Sequence, residues 1–211
     1  MRTALLAGGT GLVGGHLLRL LLDDGTWDRV VSVGRREVDV RHDRLEQVVA
    51  QFSELPVLPS VDDVFCALGT TIKQAGSQDA FRAVDHDAVV ALATAGQHAG
   101  AESFLHVTAM GASARSRIFY NRVKGETERD VAALGIPTTV AFRPSIIDGE
   151  RAEARRGEHF SLAVMRAVAP VLGPFRPTRA EDIAFAMVHL AKVPPIGTTV
   201  VSAREITRRA R

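Results

Sequence analysis

The sequence predicts an α/β protein with a doubly wound, parallel Rossmann-type sheet, built as a single domain over residues 1–211. Short apolar segments of strand length alternate with longer segments whose apolar residues recur at helical spacing. The strand segments show no polar alternation, which is typical of parallel strands covered on both faces. Because a helix-length segment separates most of them, we expect right-handed βαβ units and a central strand order of 3-2-1-4-5-6.

The individual elements follow from the same pattern. Strands are predicted at residues 3–7, 30–33, 45–50, 64–68, 104–107, 138–142 and 198–201. Helices are predicted at residues 12–21, 78–98, 118–134, 160–168 and 180–192. The charged tail 204–211 is expected to be a frayed terminus, and the glycine- and charge-rich stretch 146–158 to be a mobile element able to close over a ligand.

Composition excludes several classes of protein. Cys66 is the only cysteine, so no intrachain disulfide forms, and its apolar neighbours predict a buried, inert thiol in a reducing compartment. The first apolar stretch is too short for a signal peptide or a membrane span, so the sequence predicts a cytoplasmic protein. A net charge of +2, with one tryptophan and one tyrosine, favours no nucleic-acid partner. The oligomeric state, monomer or homodimer, is left open by the sequence.

The histidines give no reason to expect a metal site. Seven are spread along the chain, and none stands in ligand spacing with the cysteine or with a second histidine. The run Asp85-His86-Asp87 is interpreted as a solvated helix face.

A glycine-rich turn follows the first predicted strand and begins the first predicted helix. It consists of Gly8, Gly9, Thr10, Gly11, Leu12, Val13 and Gly14. Such a turn reverses tightly and lets backbone N–H groups approach a pyrophosphate, which the positive end of the helix dipole also attracts. Its place between a strand and a helix is the context that indicates a dinucleotide site.

The end of the second strand bears on the choice of cofactor. An acidic residue there binds a ribose 2′-hydroxyl, whereas arginine accommodates a 2′-phosphate. Here the strand ends in Arg35 and Arg36, with no acid before Glu37. Guanidinium groups bind phosphate bidentately, so NADP(H) is predicted over NAD(H).

Catalytic residues are predicted on the helix at residues 118–134. Tyr120 and Lys124 are four residues apart and therefore share one helix face. A nearby ammonium lowers the pKa of a phenol and so permits proton exchange with a substrate oxygen while hydride moves on the nicotinamide. Thr108, at the carboxyl end of the fifth strand, is predicted to hold that oxygen, with Ser113 in the following loop as a weaker competitor.

Three stretches, residues 65–71, 119–126 and 142–145, resemble the atypical branch of the short-chain dehydrogenase/reductase superfamily, and within it the Tat-interacting oxidoreductase group. The resemblance runs from Leu5 to about Leu190, with a short carboxyl-terminal segment on the substrate side. It implies that Tyr120 and Lys124 form the active pair. The implied cofactor contacts are Leu68, Gly69 and Thr70 beside the adenine-side ribose, Pro144 and Ser145 beside the nicotinamide, and Gln51 where relatives often carry an acidic residue against adenine.

The function predicted from these residues is an NADP(H)-dependent oxidoreductase that reduces a carbonyl or oxidises an alcohol of a small molecule. Two alternatives remain open: a non-catalytic regulator that senses NADP(H) and binds a partner protein, and a dehydratase or epimerase that uses a transient hydride. The activated phenol favours an enzyme over a sensor, which has no need of one.

Overall fold

The structure, a computed structural model, describes residues 2–148 and 177–210. Its strands are β1 Thr3–Ala7, β2 Arg29–Gly34, β3 Leu45–Val49, β4 Asp63–Cys66, β5 Ser103–Val107, β6 Thr138–Arg143, β7 Ile147–Asp148, β8 Thr178–Arg179 and β9 Gly197–Ser202. Seven of them form one parallel sheet in the order β3-β2-β1-β4-β5-β6-β9, and β7 and β8 form a separate two-stranded ladder. The predicted doubly wound Rossmann-type class is therefore confirmed.

The helices cover both faces of this sheet. They are α1 Leu12–Asp23, α2 Ile72–Ala75, α3 Gln78–Arg82, α4 Ala88–His98, α5 Phe119–Ala132, α6 Ala180–Lys192 and α7 Ala203–Arg209. The helix predicted at residues 78–98 is divided, because a π-helical turn, Ala83–Asp87, separates α3 from α4. The helix predicted at residues 160–168 and most of the stretch 146–158 lie outside the described residues.

Two hydrophobic cores hold the layers together. One lies between the sheet and helices α1 and α6, where Leu6, Leu17 and Ile183 are fully buried. The other lies against α4 and α5 and contains Leu92 and Cys66, the latter 1% exposed. Burial on both faces explains why the strand segments carry no polar alternation.

The carboxyl-terminal tail departs from the prediction of a frayed terminus. Residues Ala203–Arg209 form α7, which begins with a capping box between Ser202 and Glu205. Ile206 is fully buried in the core beside α6. The serine cap and this single apolar anchor order a segment whose charge density alone suggests solvation.

The amino edge of the sheet is closed by a buried polar cluster. Asp63, 1% exposed, accepts hydrogen bonds from the Trp27 indole at 2.7 Å, the Ser103 hydroxyl at 2.6 Å and the Arg2 guanidinium at 2.6 and 2.9 Å. All of these groups are satisfied within the fold, so the cluster is structural. Ligand binding is expected at the opposite edge of the sheet, where the carboxyl ends of the parallel strands lie.

Candidate active site

A cleft of about 670 Å³ opens at the carboxyl edge, where β1, β2 and β4 end. Its walls come from the glycine turn after β1, the segment after β2, residues 51–53, the segment after β4, and one side of the π-helical turn and α4. The predicted residues among them are Gly8, Gly9, Thr10, Gly11, Arg35, Arg36, Gln51, Leu68 and Gly69.

Two of the turn glycines are required by close packing. A Cβ on Gly14 would lie 1.9 Å from the Gly8 carbonyl oxygen, so α1 approaches the turn more closely than any side chain permits. Gly8 itself has a φ of +87°, and a Cβ there would lie 2.6 Å from the carbonyl oxygen of Ala67 on the neighbouring segment. Both positions therefore accept only glycine without rearrangement.

The amino terminus of α1 faces this turn without a side-chain cap. Gly11 is the N-cap residue and offers no side-chain acceptor, and the first turn contains no acidic residue. Uncapped helix amides carry a partial positive charge that suits a pyrophosphate. Leu12 and Val13 contribute backbone here, since the side chain of Val13 is buried and that of Leu12 packs against the core. This donor set fits a dinucleotide.

Arg35 and Arg36 lie on the cleft wall after β2, and both are exposed. Within residues 2–148 and 177–210, no carboxylate forms an ion pair with either guanidinium. Two guanidinium groups at the end of β2 that lack an ion-pair partner in the described residues suit an anionic group.

Helix α5 presents Tyr120 and Lys124 on one face near its amino terminus. The ring of Tyr120 is half-buried and packs against Phe81 of α3, with 5.2 Å between ring centroids. Lys124, one turn further along, is only 4% exposed. The cleft walls include neither residue, but a Cβ on Gly69, which does line the cleft, would lie 3.7 Å from Lys124 Nζ.

The partner of Lys124 is Asp85, from the π-helical turn. The ammonium Nζ lies 2.7 Å from Asp85 Oδ1, and the carboxylate is fully buried. Burial alone lowers the pKa of Lys124, but the Asp85 carboxylate and, to a smaller extent, the Tyr120 phenol outweigh it, so this pKa is raised. Gly69 lies beside the pair, since a Cβ there would be in van der Waals contact with Asp85 Oδ1 at 3.4 Å.

The interpretation of Asp85 as part of a solvated helix face is wrong. Phe81, Val89 and Leu92 are all buried, and their spacing of i, i+8 and i+11 places them on one apolar stripe of the helical segment. Asp85, at i+4, lies on the same stripe, and this is the signal in the sequence that predicts its burial. A carboxylate on a buried stripe indicates a buried cationic partner.

The Thr108 side chain forms its hydrogen bonds within the protein. Its hydroxyl donates to Glu128 Oε1 at 2.7 Å, and the residue is 4% exposed. Glu128 is two turns beyond Tyr120, roughly 12 Å along the helix axis. The predicted role of Thr108 in holding a substrate oxygen is therefore not supported by the geometry, because its only proton is already donated within the protein.

The competing hydroxyl, Ser113, lies beside the first turn of α5. Its backbone N–H donates to the Asn121 carbonyl at 2.9 Å, and the residue is exposed. A Cβ on Gly125 would lie 2.1 Å from the Ser113 carbonyl carbon, so glycine allows the loop to rest on the helix.

The remaining predicted cofactor residues lie along the same edge but outside the cleft. The Thr70 N–H donates to Asp85 Oδ2 at 2.8 Å. The Pro144 carbonyl accepts from Met110 N–H at 2.8 Å, and the Ser145 and Thr178 hydroxyls are 3.0 Å apart. Pro144 and Ser145 thus connect β6 to the β7–β8 ladder.

Two kinds of site find no counterpart in the described residues. No group of three or more histidine, cysteine or carboxylate side chains in those two ranges is arranged to hold a metal ion. No helix in the part of the chain that the structure describes is long and apolar enough to cross a bilayer.

The fold and cleft define a Rossmann-type nucleotide-binding protein, and comparison with known proteins narrows this class. Residues 4–112 match the NAD dependent epimerase/dehydratase family, and the chain belongs to that family. It therefore stands within the NAD(P)-binding short-chain dehydrogenase/reductase superfamily; nothing in the comparisons supports the finer Tat-interacting assignment.

Curated relatives cover most of the chain. The protein FMP52, mitochondrial, of Eremothecium gossypii is 33% identical over 89% of this chain and 88% of its own length. The protein of the same name from Meyerozyma guilliermondii is 32% identical over 99% and 95%. These names contradict the predicted cytoplasmic location. A single buried cysteine indicates reducing surroundings, but it does not identify the compartment.

Solved structures share the fold at low identity. MoeE5 in complex with UDP-glucose and NAD is 19% identical, with a TM-score of 0.71 over 99% of this chain and 80% of that one. The Bordetella bronchiseptica enzyme WbmH in complex with NAD⁺ is 16% identical, with a TM-score of 0.69 over 96% and 76%.

Proposed function

We propose that this protein is an NADP(H)-dependent oxidoreductase that interconverts a carbonyl and an alcohol on a small molecule. The observation that carries the proposal is the placing of Tyr120 and Lys124 on one face of α5, along the same sheet edge as the glycine-lined cleft. Family membership supports an NAD(P)-dependent enzyme of oxidoreductase type.

In this proposal the cleft holds the dinucleotide. The amides at the start of α1 and the turn after β1 bind the pyrophosphate, Arg35 and Arg36 bind the 2′-phosphate, and Gln51 lies at the adenine end. The bound nicotinamide supplies or accepts hydride. The absence of an acidic residue among the lining residues after β2 favours NADP(H) over NAD(H).

The proton transfer is assigned to Tyr120. Its phenol gives a proton to the carbonyl oxygen during reduction and takes one from the hydroxyl during oxidation. Lys124, held as a cation, stabilises the phenolate. Ser113, an exposed hydroxyl beside the first turn of α5, is proposed to orient the substrate oxygen in place of Thr108.

Epimerisation or dehydration through a transient hydride is the second candidate, and the name of the matched family favours it. Both candidates use the same phenol and cofactor, but only the oxidoreductase leaves the cofactor in the other redox state after each turnover. The relatives' names do not distinguish them.

The test begins with calorimetric titration of the purified chain with NADPH and NADH. The absorbance of NADPH is then followed spectrophotometrically, as a fall with aldehydes, ketones and quinones and as a rise from NADP⁺ with the corresponding alcohols. Binding of NADPH tighter than NADH, with oxidation in at least one class, is expected. Binding of neither cofactor would refute the proposal. Binding of either one without a change in NADPH absorbance in either direction would favour the second candidate or a sensing role.

A further inference from the structure

The connection between β2 and β3, residues 35–44, carries the two arginines of the cleft wall and contains no helix. In a βαβ unit, the crossover helix packs on the sheet and holds the chain that follows the strand. Here that support is missing. Among the described residues, the segment 35–41 forms only two hydrogen bonds, and both join Val38 to the side chain of Gln47 on β3.

The Gln47 side chain binds Val38 at both of its backbone groups. The Val38 N–H donates to Gln47 Oε1 at 2.7 Å, and Gln47 Nε2 donates to the Val38 carbonyl at 3.4 Å. A side-chain carboxamide offers the same kinds of donor and acceptor as a peptide group. Gln47 therefore pairs with Val38 as the backbone of a neighbouring strand would, at a point where the β2–β3 ladder has already ended.

Val38 is also fixed from the side of the glycine turn. The residue is 8% exposed, and a Cβ on Gly9 would lie 3.0 Å from Val38 Cγ1. At the other end of the segment, the Gly34 carbonyl accepts the Ala50 N–H at 2.9 Å. Three residues, 35–37, span the chain between these two fixed points, and they include both arginines of the cleft wall.

We infer that Gln47 is a positioning residue for Arg35 and Arg36, and that it thereby contributes to the proposed preference for NADP(H) over NAD(H). Side chains on a loop that is held at both ends lose less conformational freedom on binding a phosphate than side chains on a mobile loop. Gln47 does not line the cleft, so it acts through the arginines. The inference rests on the proposed function, because the 2′-phosphate is the group that these guanidinium groups are proposed to bind.

Hydrogen exchange measures the hold on the segment without any cofactor. Gln47→Leu removes both bonds to Val38, so the Val38 amide, followed by NMR, is expected to exchange about tenfold faster in the cofactor-free protein. Gln97→Leu is the matched control, because the Gln97 side chain also donates to a backbone carbonyl, that of Leu134, and neither residue lines the cleft. The control should leave exchange at Val38 unchanged.

Calorimetric titration measures the effect on cofactor preference. Gln47→Leu is expected to weaken NADPH binding about fivefold and to change NADH binding by less than about twofold, because only NADPH bears the 2′-phosphate. In a protein that already carries Arg35→Ala and Arg36→Ala, the same replacement should have no further effect on NADPH, since the groups that Gln47 positions are gone. A general loss of stability would weaken both cofactors alike, with or without the arginines.

A second replacement, Gln47→Asn, covers the case in which Gln47→Leu does not fold. Its side chain is one methylene shorter and loses at least one of the two bonds to Val38, so changes in the same direction are expected. Thermal unfolding identifies the folded variants.

Three results would each overturn the inference in a folded variant: unchanged exchange at Val38, equal weakening of both cofactors, or a loss of NADPH affinity that persists without the arginines. A preference for NADPH that Gln47→Leu leaves unchanged would remove the inference alone. A wild-type protein that binds NADPH no more tightly than NADH would contradict the proposed cofactor, and the inference with it. That failure is seen before any variant is made, so the two are distinguishable.

Discussion

The two ends of the carboxyl edge differ in how their polar groups are satisfied. At the cleft, Arg35 and Arg36 are exposed with no ion pair in the described residues, and no side chain caps α1. At α5, Lys124 and Thr108 are buried and bonded to carboxylates of the protein itself. In the described residues, the donors at the cleft are therefore available to a ligand, whereas the donors at the α5 end already bond to carboxylates of the protein.

This difference separates residues that bind a ligand directly from residues that act through their neighbours in the protein. A free donor in a cleft is available to a ligand, and its removal should weaken binding directly. A buried, paired group contributes through its neighbours, so its removal should change stability or the ionisation of another residue. The predictions that follow test this division, beginning with the largest expected effect.

The glycine turn should be the most sensitive element. Gly14→Ala places a Cβ 1.9 Å from the Gly8 carbonyl oxygen, so α1 or the turn must move. We expect a fall in melting temperature of roughly 5–10 °C and loss of cofactor binding, measured by thermal unfolding and calorimetry. Gly15→Ala is the control, because its nearest neighbour would be 3.8 Å away and alanine favours a helix. Equal losses in both variants would contradict a steric role for Gly14.

Turnover should depend on the Tyr120 hydroxyl. Tyr120→Phe keeps the ring against Phe81 but removes the proton that the proposed mechanism transfers. Turnover is expected to fall about a hundredfold, with NADPH affinity nearly unchanged. Steady-state kinetics with a substrate from the screen, together with calorimetry, measure the two quantities. Turnover that persists in this variant would remove the assigned role.

The cleft was predictable from the sequence because its motif is local. The strand, the glycine turn and the helix are contiguous, so spacing alone places Gly8, Gly11 and Gly14 beside one another. Arg35 and Arg36 could be predicted in the same way, since they directly follow the strand that pairs with β1. The strand order could also be predicted, because most of the predicted strands are separated by segments of helix length and such connections are right-handed. The connection from β2 to β3, residues 35–44, is an exception, since it contains no helix.

The α5 end was predictable only in part because its contacts are distant in sequence. The Tyr120–Lys124 spacing is local. The apolar stripe indicates that Asp85 is buried, but it does not identify Lys124, 39 residues away, as its partner. The Thr108 hydroxyl was assigned from its strand position, and its bond to Glu128 depends on how α5 docks. Long-range pairing of this kind follows from tertiary packing, which spacing does not encode.

Replacement of Arg35 and Arg36 tests whether the cleft recognises the 2′-phosphate of the cofactor. Arg35→Ala with Arg36→Ala removes from the cleft wall two guanidinium groups that form no ion pair with the described residues, so NADPH binding should weaken at least tenfold. NADH, which has no 2′-phosphate, should bind with nearly unchanged affinity, as calorimetry can measure. Arg41→Ala is the matched control, because Arg41 is exposed but lies outside the cleft walls. Equal weakening for both cofactors would argue against phosphate recognition.

The smallest effect on turnover is expected for replacement of Thr108. This variant tests whether a hydroxyl that already donates to a protein carboxylate takes part in catalysis. Thr108→Val removes a hydrogen bond to Glu128, which keeps its contacts with Arg143 at 2.5 and 2.9 Å. The free energy of unfolding should therefore fall by about 1 kcal/mol, measured by denaturant titration, while turnover stays within about twofold.

Ser113→Ala should show the opposite pattern. Its hydroxyl is exposed beside α5, so stability should hardly change, while loss of a hydrogen bond to the substrate oxygen should reduce turnover about tenfold. If Thr108→Val instead slowed turnover as much as Tyr120→Phe and Ser113→Ala did not, Thr108 would have to exchange Glu128 for the substrate during the reaction. The distinction between available and internally bonded donors would then not identify the hydroxyl that holds the substrate oxygen.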